Sequence, residues 1–561
     1  MTQREKIEAL VGLLLGMFVA FLSSTVVSIA LPEIIKSLHG TTDQYTWVVT
    51  ATLLASTATT PIWGKFADLM SKKLLVQIAL TVFTLGSILA GLSQSAGMLI
   101  FFRAIQGLGL GGLQALVIIV IASMFSPRER GRYQGPIAAV MSIATVGGPL
   151  LGGLITDTSW LGWRWTFYVC VPLAVIALIV IQKTLNVPTI RKPGVAIDYL
   201  GALLIAGGVV VLLIWVTLAG KSFPWASGRS YALAALGAVL LILAVLAEGK
   251  VLNPALPRFL KVEDPIIPLG LFRDRTITLA TIASISVGVA LFGSAVFLGQ
   301  YFQLGRGYSP TVSGLLTLPM VGGSLIFSTV SGSLITKFGR WKIFLVTGAV
   351  LMTAGFYLLS TIKEHTSMWL VGIFLFLLGT GMGMTMQNLV LPVQNAVPAA
   401  NLGVATSTIT FFRSLGGAAG VSILGAVLAT HVKDLTLSGL RGLAATLMPS
   451  LGKDGALAQV EQCGTKLKAG IAGDLPADCE AVQRAAFGDG VPTIFLIAAV
   501  MAVVALVAIL FIKEVRLKTQ TPLEEQQQAA AEAMAGLAPE ESVHVAEADH
   551  QRDKPAPRRR K

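Results

Sequence analysis

Long apolar runs alternate with short polar clusters along nearly the whole of this chain. Each run is about as long as the roughly 20 residues that an α-helix needs to cross a bilayer. Helices are required there because lipid offers no water to bare backbone groups. The pattern predicts an all-α polytopic membrane protein with about fourteen spans. The predicted spans are near 9–31, 45–64, 74–92, 98–124, 134–156, 165–185, 198–218, 231–248, 277–301, 312–335, 341–361, 367–391, 403–430 and 491–513.

The first apolar run, 9–31, is interpreted as a span and not as a signal peptide. It is too long for a signal core and lacks a small-residue cleavage site. Orientation follows from the basic residues in the short loops, since cytoplasmic loops carry the excess of Lys and Arg. Even-numbered loops are rich in both and odd-numbered loops are poor, whereas the twelfth loop, 392–402, has no basic residue. Both termini are therefore predicted to be cytoplasmic, in a plasma or inner membrane.

Two polar segments are expected to lie outside the bilayer. Residues 431–490 are predicted to form a long outer loop, and residues 514–561 a cytoplasmic tail that is disordered or loosely helical. Cys463 and Cys479 share the outer loop, where disulfides are permitted, so a bond between them is predicted. The third cysteine, Cys170, falls within a span and is interpreted as packing.

The two halves of the chain repeat one another. Gly64-Lys-Phe-Ala-Asp68 corresponds to Gly332-Ser-Leu-Ile-Thr336, and each precedes a basic loop. Glycine ladders follow in both halves, beginning at Gly107 and Gly379. Such ladders let helices approach closely and are by themselves only packing signals. In the same order in both halves, they indicate duplicated bundles, with the spans of 198–248 inserted between them.

Composition narrows the function further. The 561 residues are 54% hydrophobic and only 13% charged, although the net charge is +13. The basic residues lie in loops without a nucleic-acid motif, so nucleic acid is not expected as a partner. None of the five histidines is inside a span, and no Cys/His cluster has metal-ligand spacing. No metal, cofactor or enzymatic activity is therefore predicted.

Five motifs resemble those of the major facilitator superfamily, and specifically its fourteen-span drug:proton antiporter branch. They begin at Gly64, Arg103, Gly148, Trp163 and Phe411, and they occur in the expected order and on the expected side. The resemblance covers about residues 10–430 and the last span. It implies two six-helix bundles, 1–190 and 261–513, with two additional helices in 191–260.

The function implied by the resemblance is export of lipophilic drugs or toxic compounds by a monomeric secondary transporter. The transporter would use proton antiport and alternating access, with a lipid bilayer around it. The alternative is export of lipid or cell-envelope precursors. Three other hypotheses are disfavoured. The short polar tail argues against a sensor with this fold, and the absence of span-interior histidine argues against an intramembrane enzyme. The Gly148-Pro149 motif argues against an uptake permease.

The resemblance also implies site residues. Asp68 would latch the outward-facing state, by pairing with basic groups or by capping a helix of the other half; the alternative is an ordinary solvated loop. Gly148-Pro149 should kink the fifth span, because proline removes a helix hydrogen bond. The implied gate comprises Gly64, Asp68, Lys72, Lys73, Gly148, Pro149, Gly152 and Gly153.

Two arginines lie inside predicted spans, where each costs about 2.5–3.5 kcal/mol. Arg103 is a candidate for coupling or a side chain that reaches the outer interface. Arg413 is a candidate for coupling or for holding backbone carbonyls. The candidate substrate and proton site comprises Arg103, Gln106, Asp157, Glu33, Arg413, Gln387 and Asn388, and the candidate cavity wall adds Phe18, Phe21, Gln300 and Tyr301.

The branch usually carries an Asp in the first span, and here Ser23 occupies that place. Serine cannot cycle a proton at any useful pH. Asp157 or Glu33 would then carry the proton. With two arginines and no central acid, the predicted substrate is a lipophilic molecule of neutral or mixed charge.

Overall fold

The computed structural model describes residues 2–158, 160–187, 198–220, 222–251, 253, 262, 264–469, 476–521, 524–525 and 527–528. Their regular structure is helical, apart from an isolated β-bridge between Ala219 and Phe223. The helices are α1 (Gln3–Ser37), α2 (Thr42–Leu69), α3 (Lys72–Gly91), α4 (Ala96–Met124), α5 (Pro127–Arg130), α6 (Gln134–Asp157), α7 (Trp165–Tyr168), α8 (Cys170–Thr184), α9 (Tyr199–Leu218), α10 (Gly228–Glu248), α11 (Arg275–Gln300), α12 (Pro310–Leu316), α13 (Leu318–Phe338), α14 (Lys342–Leu359), α15 (Met368–Met386), α16 (Val390–Ala396), α17 (Leu402–Ala469) and α18 (Ala477–Phe511).

Polar residues between the apolar runs determine where several helices begin. Thr2, Thr41 and Ser126 each accept a hydrogen bond from a backbone N–H three residues later. In each case the Glu or Gln at that later position bonds back to the capping residue's own N–H. These capping boxes satisfy backbone donors that the first helical turn leaves unpaired.

Thirteen helical stretches in the described part are long and apolar enough to cross a membrane. The predicted span 45–64 is not among them. It lies within the 28-residue helix α2, which packs against α4 and α17. Threonines and serines lower its hydropathy, but several of their hydroxyls bond to the helix itself, as Thr59 does to the Ala55 carbonyl at 2.7 Å, and Thr52 donates to the Arg103 carbonyl of α4 at 3.0 Å. The total is fourteen spans only if α2 is included because it packs within the bundle, since its hydropathy alone does not qualify it.

Helix contacts repeat between two groups of helices, the first within residues 3–184 and the last within residues 275–511. In the first, α1 packs on α6 and α8, α2 on α4, and α3 on α4 and α8. In the last, α11 packs on α17 and α18, α13 on α15, and α14 on α15 and α18. We call these groups the N-half and the C-half. They meet where α2 contacts α17 and where α6 contacts α13.

The remaining helices, α9 and α10, pack on one another as a pair. Through α9 the pair also contacts α2 of the N-half and α17 of the C-half. The pair therefore lies beside one of the two places where the halves meet.

The segment 431–490, predicted as a loop, is largely helical. Helix α17 continues far beyond the predicted span, and α18 begins at Ala477. Leu440 packs beside Cys463 and Cys479, which are joined by a disulfide with a Cα–Cα distance of 5.5 Å. The loop prediction was wrong because two mostly polar helices can bury a narrow apolar seam between them, which mean hydropathy does not detect.

The beginning of the tail 514–561 is also more ordered than predicted. The Lys518 N–H donates to Asn395 Oδ1 at 2.9 Å, and the Lys518 carbonyl accepts from the Arg128 N–H at 3.3 Å. Leu517 beside them is buried. This stretch is irregular yet hydrogen-bonded to both halves, so its predicted disorder was wrong. A polar sequence does not reveal backbone partners elsewhere in the fold. The tail beyond 528 lies outside the described residues.

Candidate functional site

A buried network of polar side chains joins α1, α3 and α4. Arg103 Nη1 donates to Gln106 Oε1 at 2.7 Å, and Arg103 Nε donates to the Val48 carbonyl at 3.2 Å. Gln106 Nε2 donates to Ser87 Oγ at 2.7 Å and to Ser23 Oγ at 3.0 Å. Arg103 is 3% exposed and its three side-chain neighbours are even less exposed. Gln106 therefore connects the Arg103 guanidinium to Ser23.

The partners of Arg103 are neutral. Among the described residues it forms no ion pair, and amide and carbonyl oxygens accept its hydrogen bonds. A side chain this deeply buried does not reach the interface, so the alternative of an interfacial Arg103 does not fit the structure. The result is a positive charge inside the N-half, with Ser23 two hydrogen bonds away.

Arg413 is a second buried cation, 9% exposed, on α17 of the C-half. In the described part of the chain its guanidinium holds no backbone carbonyl, contrary to one of the two sequence-based alternatives. Its own backbone lies against α11, where a Cβ on Gly288 would be 2.1 Å from the Arg413 carbonyl oxygen. That glycine allows the close approach of α11 and α17.

Gln387 and Asn388 lie directly after α15. Gln387 Nε2 is 3.3 Å from Met141 Sδ of α6, which is a contact between the halves. Asn388 Nδ2 donates to Ser331 Oγ at 3.0 Å and to the Met384 carbonyl at 2.8 Å. Its Oδ1 is buried and has no partner among the described residues. Gln387 thus faces the other half, whereas Asn388 ties α15 to α13.

The two acids proposed from the sequence as proton carriers lie apart from this network. Glu33 is exposed near the end of α1. Asp157 ends α6, and its side chain lies outside the described residues.

The predicted cavity wall is only partly retained. Phe18 and Phe21 are half-buried and pack with α6 and α8, and Gln300 is half-buried at the end of α11. Tyr301 is fully buried, and its hydroxyl donates to the Lys363 carbonyl at 3.0 Å. Its place in a cavity wall was therefore wrong. The chain enters a π-helical turn at Tyr301, which directs this ring into the core of the C-half.

Asp68 joins the halves at the predicted cytoplasmic side. Its Oδ1 accepts from the Gly403 N–H at 2.8 Å and its Oδ2 from the Val404 N–H at 2.9 Å. These amides belong to the first turn of α17, which has no partner for them within the helix. The positive end of the helix dipole favours a carboxylate there. We call this contact the latch.

The latch carboxylate titrates unusually high for an aspartate. Burial raises the pKa of Asp68 to about 6, against the opposing effects of the Val404 and Gly403 amides and of Lys72 and Lys65. The closed latch therefore binds a proton more readily than a water-exposed aspartate does.

Gly64 lies one turn before Asp68 and lets α2 contact α17. A Cβ at Gly64 would be 1.8 Å from Ser407 Oγ. Lys72 begins α3 and acts on Asp68 through space. Lys73 turns away and donates to the Gln182 carbonyl at 2.6 Å, within the N-half.

A matching contact joins α13 to the start of the fifth span. A Cβ at Gly332 would be 1.9 Å from the Gly131 carbonyl oxygen. Arg128 Nε donates to the Thr336 carbonyl at 2.9 Å. Gly332 and Thr336 correspond in the repeat to Gly64 and Asp68. The halves are therefore held together twice at one end, by equivalent segments.

Gly148 packs α6 against α1, because a Cβ there would be 2.0 Å from Thr25 Oγ1. Thr25 Oγ1 in turn donates to the Ala144 carbonyl at 2.9 Å. Gly152 is buried and Gly153 half-buried in the last turns of α6. The side chain of Pro149 lies outside the described residues.

The family model described as Major Facilitator Superfamily matches residues 13–196 and 189–421 of the chain. The chain belongs to the major facilitator superfamily. It is a multi-pass transporter and not an enzyme. The Arg103 network and the latch are therefore parts of a major facilitator transporter.

Several curated members of the superfamily are similar to this transporter. An uncharacterized MFS-type transporter of Mycobacterium tuberculosis is 36% identical over 90% of this chain and 69% of its own length. The multidrug transporter protein MdtP of Bacillus subtilis is 34% identical over 76% of each chain. The efflux pump dotC of Dothistroma septosporum is 32% identical over 91% of this chain and 84% of its own.

Solved structures of the superfamily share the fold. The proton:xylose symporter XylE aligns with a TM-score of 0.59 and 15% identity, over 93% of this chain and 99% of its own. The human organic anion transporter MFSD10 aligns with a TM-score of 0.56 and 14% identity, over 90% of this chain and 100% of its own. At this identity the likeness concerns the fold alone.

Sequence reasoning missed several residues that the fold brings into contact. Ser87 was treated as part of an apolar run, although it completes the Arg103 network. The sequence analysis used Arg128 and Lys65 only to orient the spans. In the structure Arg128 donates to the Thr336 carbonyl, and Lys65 forms an ion pair with Asp264. The repeat could have revealed Arg128, since it faces the Gly332 segment that corresponds to Gly64.

Replacing Gly64 with valine is expected to separate α2 from α17 and favour the state open at this end. Overpacking typically costs about 1–3 kcal/mol, which corresponds to a shift of roughly tenfold or more in the equilibrium. Distances between spin labels at Lys183→Cys and Arg340→Cys would measure the shift in lipid nanodiscs. Gly322→Val is the control, because a Cβ there meets no atom within 4 Å. An equal response in both variants would contradict the role of Gly64.

Proposed function

We propose that the protein exports lipophilic molecules of neutral or mixed charge from the cell, by proton antiport with alternating access. The single observation that carries the choice of substrate is the buried Arg103, whose partners are Gln106 and a backbone carbonyl in place of an acid. Export itself is supported by the similar proteins, among them one named a multidrug transporter and one named an efflux pump.

The charge of the site favours this substrate class. A cation near Arg103 would meet an uncompensated positive charge in a medium of low dielectric constant. Arg413 adds a second buried positive charge in the C-half. A neutral or anionic amphiphile avoids this repulsion while its apolar part is buried among the helices.

The contacts between the halves support alternating access. Asp68 and Gly64 hold α2 to α17, and Gly332 and Arg128 hold α13 to the start of the fifth span. Breaking both contacts would open this end and leave the packing within each half intact. We propose that this is the cytoplasmic end, closed in the present state.

The same proposal places the protein in the cell membrane, as a monomer with both termini in the cytoplasm. Its units would be the bundles 1–190 and 261–513 and the additional helices of 191–260. The repeated helix contacts support this division. Glu33 and Asp157 remain proposed carriers of the coupled proton, with Gly148, Pro149, Gly152 and Gly153 as proposed gate residues.

Export of lipid or cell-envelope precursors is the second candidate. It is favoured by an open groove of about 600 Å³ between Trp225 and the half of α17 that includes Ile423 and Val427. The lining is mostly apolar, with His431 and Asp434 at one end. The apolar lining suits the hydrocarbon part of an amphiphile, and the two polar residues suit its head.

Dye efflux from cells that express the protein tests the proposal. Cationic, neutral and anionic lipophilic dyes are compared with and without a protonophore. Neutral and anionic dyes are expected to be exported, and the protonophore is expected to abolish export. Arg103→Ala should reduce export of the anionic dye about tenfold, which corresponds to about 1.4 kcal/mol.

Asp157→Asn, measured in parallel, examines the proposed proton carrier. Loss of protonophore-sensitive export in that variant would assign the proton to Asp157, and unchanged export would remove it as a candidate. Cells with empty vector provide the background. Exclusive export of dications by the unmodified protein would contradict the substrate proposal.

A further inference from the structure

Three carboxylates and one lysine meet where the pair α9 and α10 contacts α2. Asp198 caps the start of α9, and Glu248 is the last residue of α10. Lys65 lies on α2, and Asp264 lies in the segment that leads to α11. Asp198, Glu248 and Lys65 are 4%, 5% and 4% exposed, so these three are buried although they lie near the ends of helices, whereas Asp264 is partly exposed.

The carboxylates of Asp198 and Glu248 converge on the bare Cα of Gly201. A Cβ at that position would be 2.2 Å from Asp198 Oδ2 and 2.9 Å from Glu248 Oε1. Both Glu248 oxygens accept backbone bonds, from Ile266 N–H at 3.1 Å and Ile267 N–H at 3.3 Å. Asp198 Oδ1 accepts from Gly201 N–H at 2.7 Å. Asp198 Oδ2 is buried and has no partner among the described residues.

One lysine cannot neutralise the three carboxylates of this cluster. Lys65 acts on both Asp198 and Glu248, but its Nζ is paired with Asp264 at 2.7 Å. No group of three or more acidic, His or Cys residues in the described part is arranged to hold a metal ion. A proton is therefore the ligand that fits the unpaired oxygen.

We propose that Asp198 and Glu248 form a carboxyl pair that holds one proton while the cytoplasmic end is closed and releases it when that end opens. The proton is bound to Asp198 Oδ2 and faces Glu248 Oε1. Both Glu248 oxygens already accept backbone N–H bonds, whereas Asp198 Oδ2 has no partner among the described residues, so the proton is placed on Asp198. On opening, the O–H bond of Asp198 breaks, its proton passes to water, and Asp198 is left as a carboxylate.

Connection to the latch follows from the helices involved. Lys65 precedes Asp68 by one turn on α2, and α9 packs against both α2 and α17. When α2 and α17 separate, α9 cannot keep both contacts, and water reaches the carboxyl pair. The inference rests on the proposed function only in using this separation of the halves. It deepens that function by assigning a proton site to helices outside both bundles.

The sign of the pH dependence follows from proton release on opening. Lower pH favours the closed state, and this contribution is lost as pH rises. Asp198 is faced by Lys65 from α2 and by Glu248 from α10, and Asp264 reaches the cluster through Lys65. Asp68 titrates separately in the latch and is unchanged in Asp198→Asn, Glu248→Gln and Asp274→Asn, the variants that test this inference.

The test uses the full-length protein in lipid nanodiscs with spin labels at Lys183→Cys and Arg340→Cys. Both positions are exposed, one in each half. The ratio of closed to open distances is measured from pH 6 to pH 8, together with Asp198→Asn and Glu248→Gln. The ratio should change by up to about tenfold per pH unit while one proton is released. Each variant should lose this part of the slope.

Asp274→Asn is the matched control, because Asp274 caps α11 as Asp198 caps α9. Asparagine caps a helix as well as aspartate does, so Asp198→Asn retains the cap and removes only the acid. An unchanged slope in Asp198→Asn, or an equal loss in Asp274→Asn, would overturn the inference. If Glu248→Gln does not fold, Asp198→Asn decides alone. This test does not measure dye export. If the dye-efflux experiment fails, the pH result for the carboxyl pair still holds, and if the closed-to-open ratio does not depend on pH, the export proposal still holds.

Discussion

Replacement of Asp68 with alanine is expected to open the cytoplasmic end. The change removes both acceptors of the Gly403 and Val404 amides and leaves those donors unpaired at the start of α17. Hydrogen bonds to a charged group contribute about 1.5–3 kcal/mol each, and part of this is lost because Asp68 is half-buried. A shift of roughly 10- to 100-fold toward the open state is expected, measured from the same spin-label distances at pH 7.5.

Two further variants make this result specific. Asp68→Asn keeps one acceptor oxygen and should give an intermediate shift. Glu514→Ala removes a carboxylate that accepts from the Lys342 N–H at 3.4 Å, within the C-half, and should leave the ratio unchanged. If Asp68→Ala retained the closed distance distribution, the latch would have no energetic role.

The latch should also respond to pH. The pKa of Asp68 is raised to about 6 in the closed state and returns toward its ordinary range when the carboxylate reaches water. Protonation of Asp68 therefore favours the closed state as pH falls through about 6. This stabilisation is lost as pH rises above about 6. This component should be absent from Asp68→Ala and present in Asp198→Asn, which separates the two proton sites.

Introducing an acid at the position of Ser23 should change which substrates are exported. Ser23→Asp places a carboxylate beside Gln106, two hydrogen bonds from the Arg103 guanidinium. At an effective dielectric constant near 20, opposite charges about 8 Å apart interact by about 2 kcal/mol, which is enough to compensate part of the Arg103 charge. Export of a cationic dye relative to an anionic dye is expected to rise about tenfold, which is about 1.4 kcal/mol.

Ser23→Asn is the matched control for this change, because it has nearly the same shape as aspartate and no charge. The two variants are compared for dye efflux at equal amounts of protein in the membrane. If both show the same substrate preference, the charge balance around Arg103 does not determine selectivity. If cation export rises in Ser23→Asp and not in Ser23→Asn, the charge around Arg103 does determine selectivity.

Motif and repeat reasoning came close to the contacts between the halves. Gly64 and Asp68 were singled out on one side, and their equivalents Gly332 and Thr336 on the other. Both segments do lie against the opposite half. The partners, Gly403 and Gly131, were not predictable, because a contact between distant segments depends on how the bundles are oriented.

Hydropathy was a weaker guide wherever helices bury polar groups or leave the bilayer. The hydroxyls of α2 lower its hydropathy, but several bond to their own helix and that of Thr52 bonds to α4, so they do not exclude α2 from the bundle. Helix α17 extends far past the predicted span, because a narrow apolar seam around Cys463 and Cys479 is enough to pair it with α18. Tyr301, at the end of an apolar run, was predicted to line a cavity. In the structure a π-helical turn begins at Tyr301, and its side chain lies in the core of the C-half.

The sequence by itself determined the all-helical membrane architecture, the duplicated halves and the absence of an acid at position 23, since each can be recognised from residue patterns without knowing which residues meet in space. Only the tertiary structure decided which polar groups meet. It joined Ser23 to Arg103 through Gln106, and it brought Asp198 and Glu248 together across 50 residues of sequence around Gly201. Charge and hydrogen bonding act over a few ångströms of space, and the distance along the chain does not specify that separation.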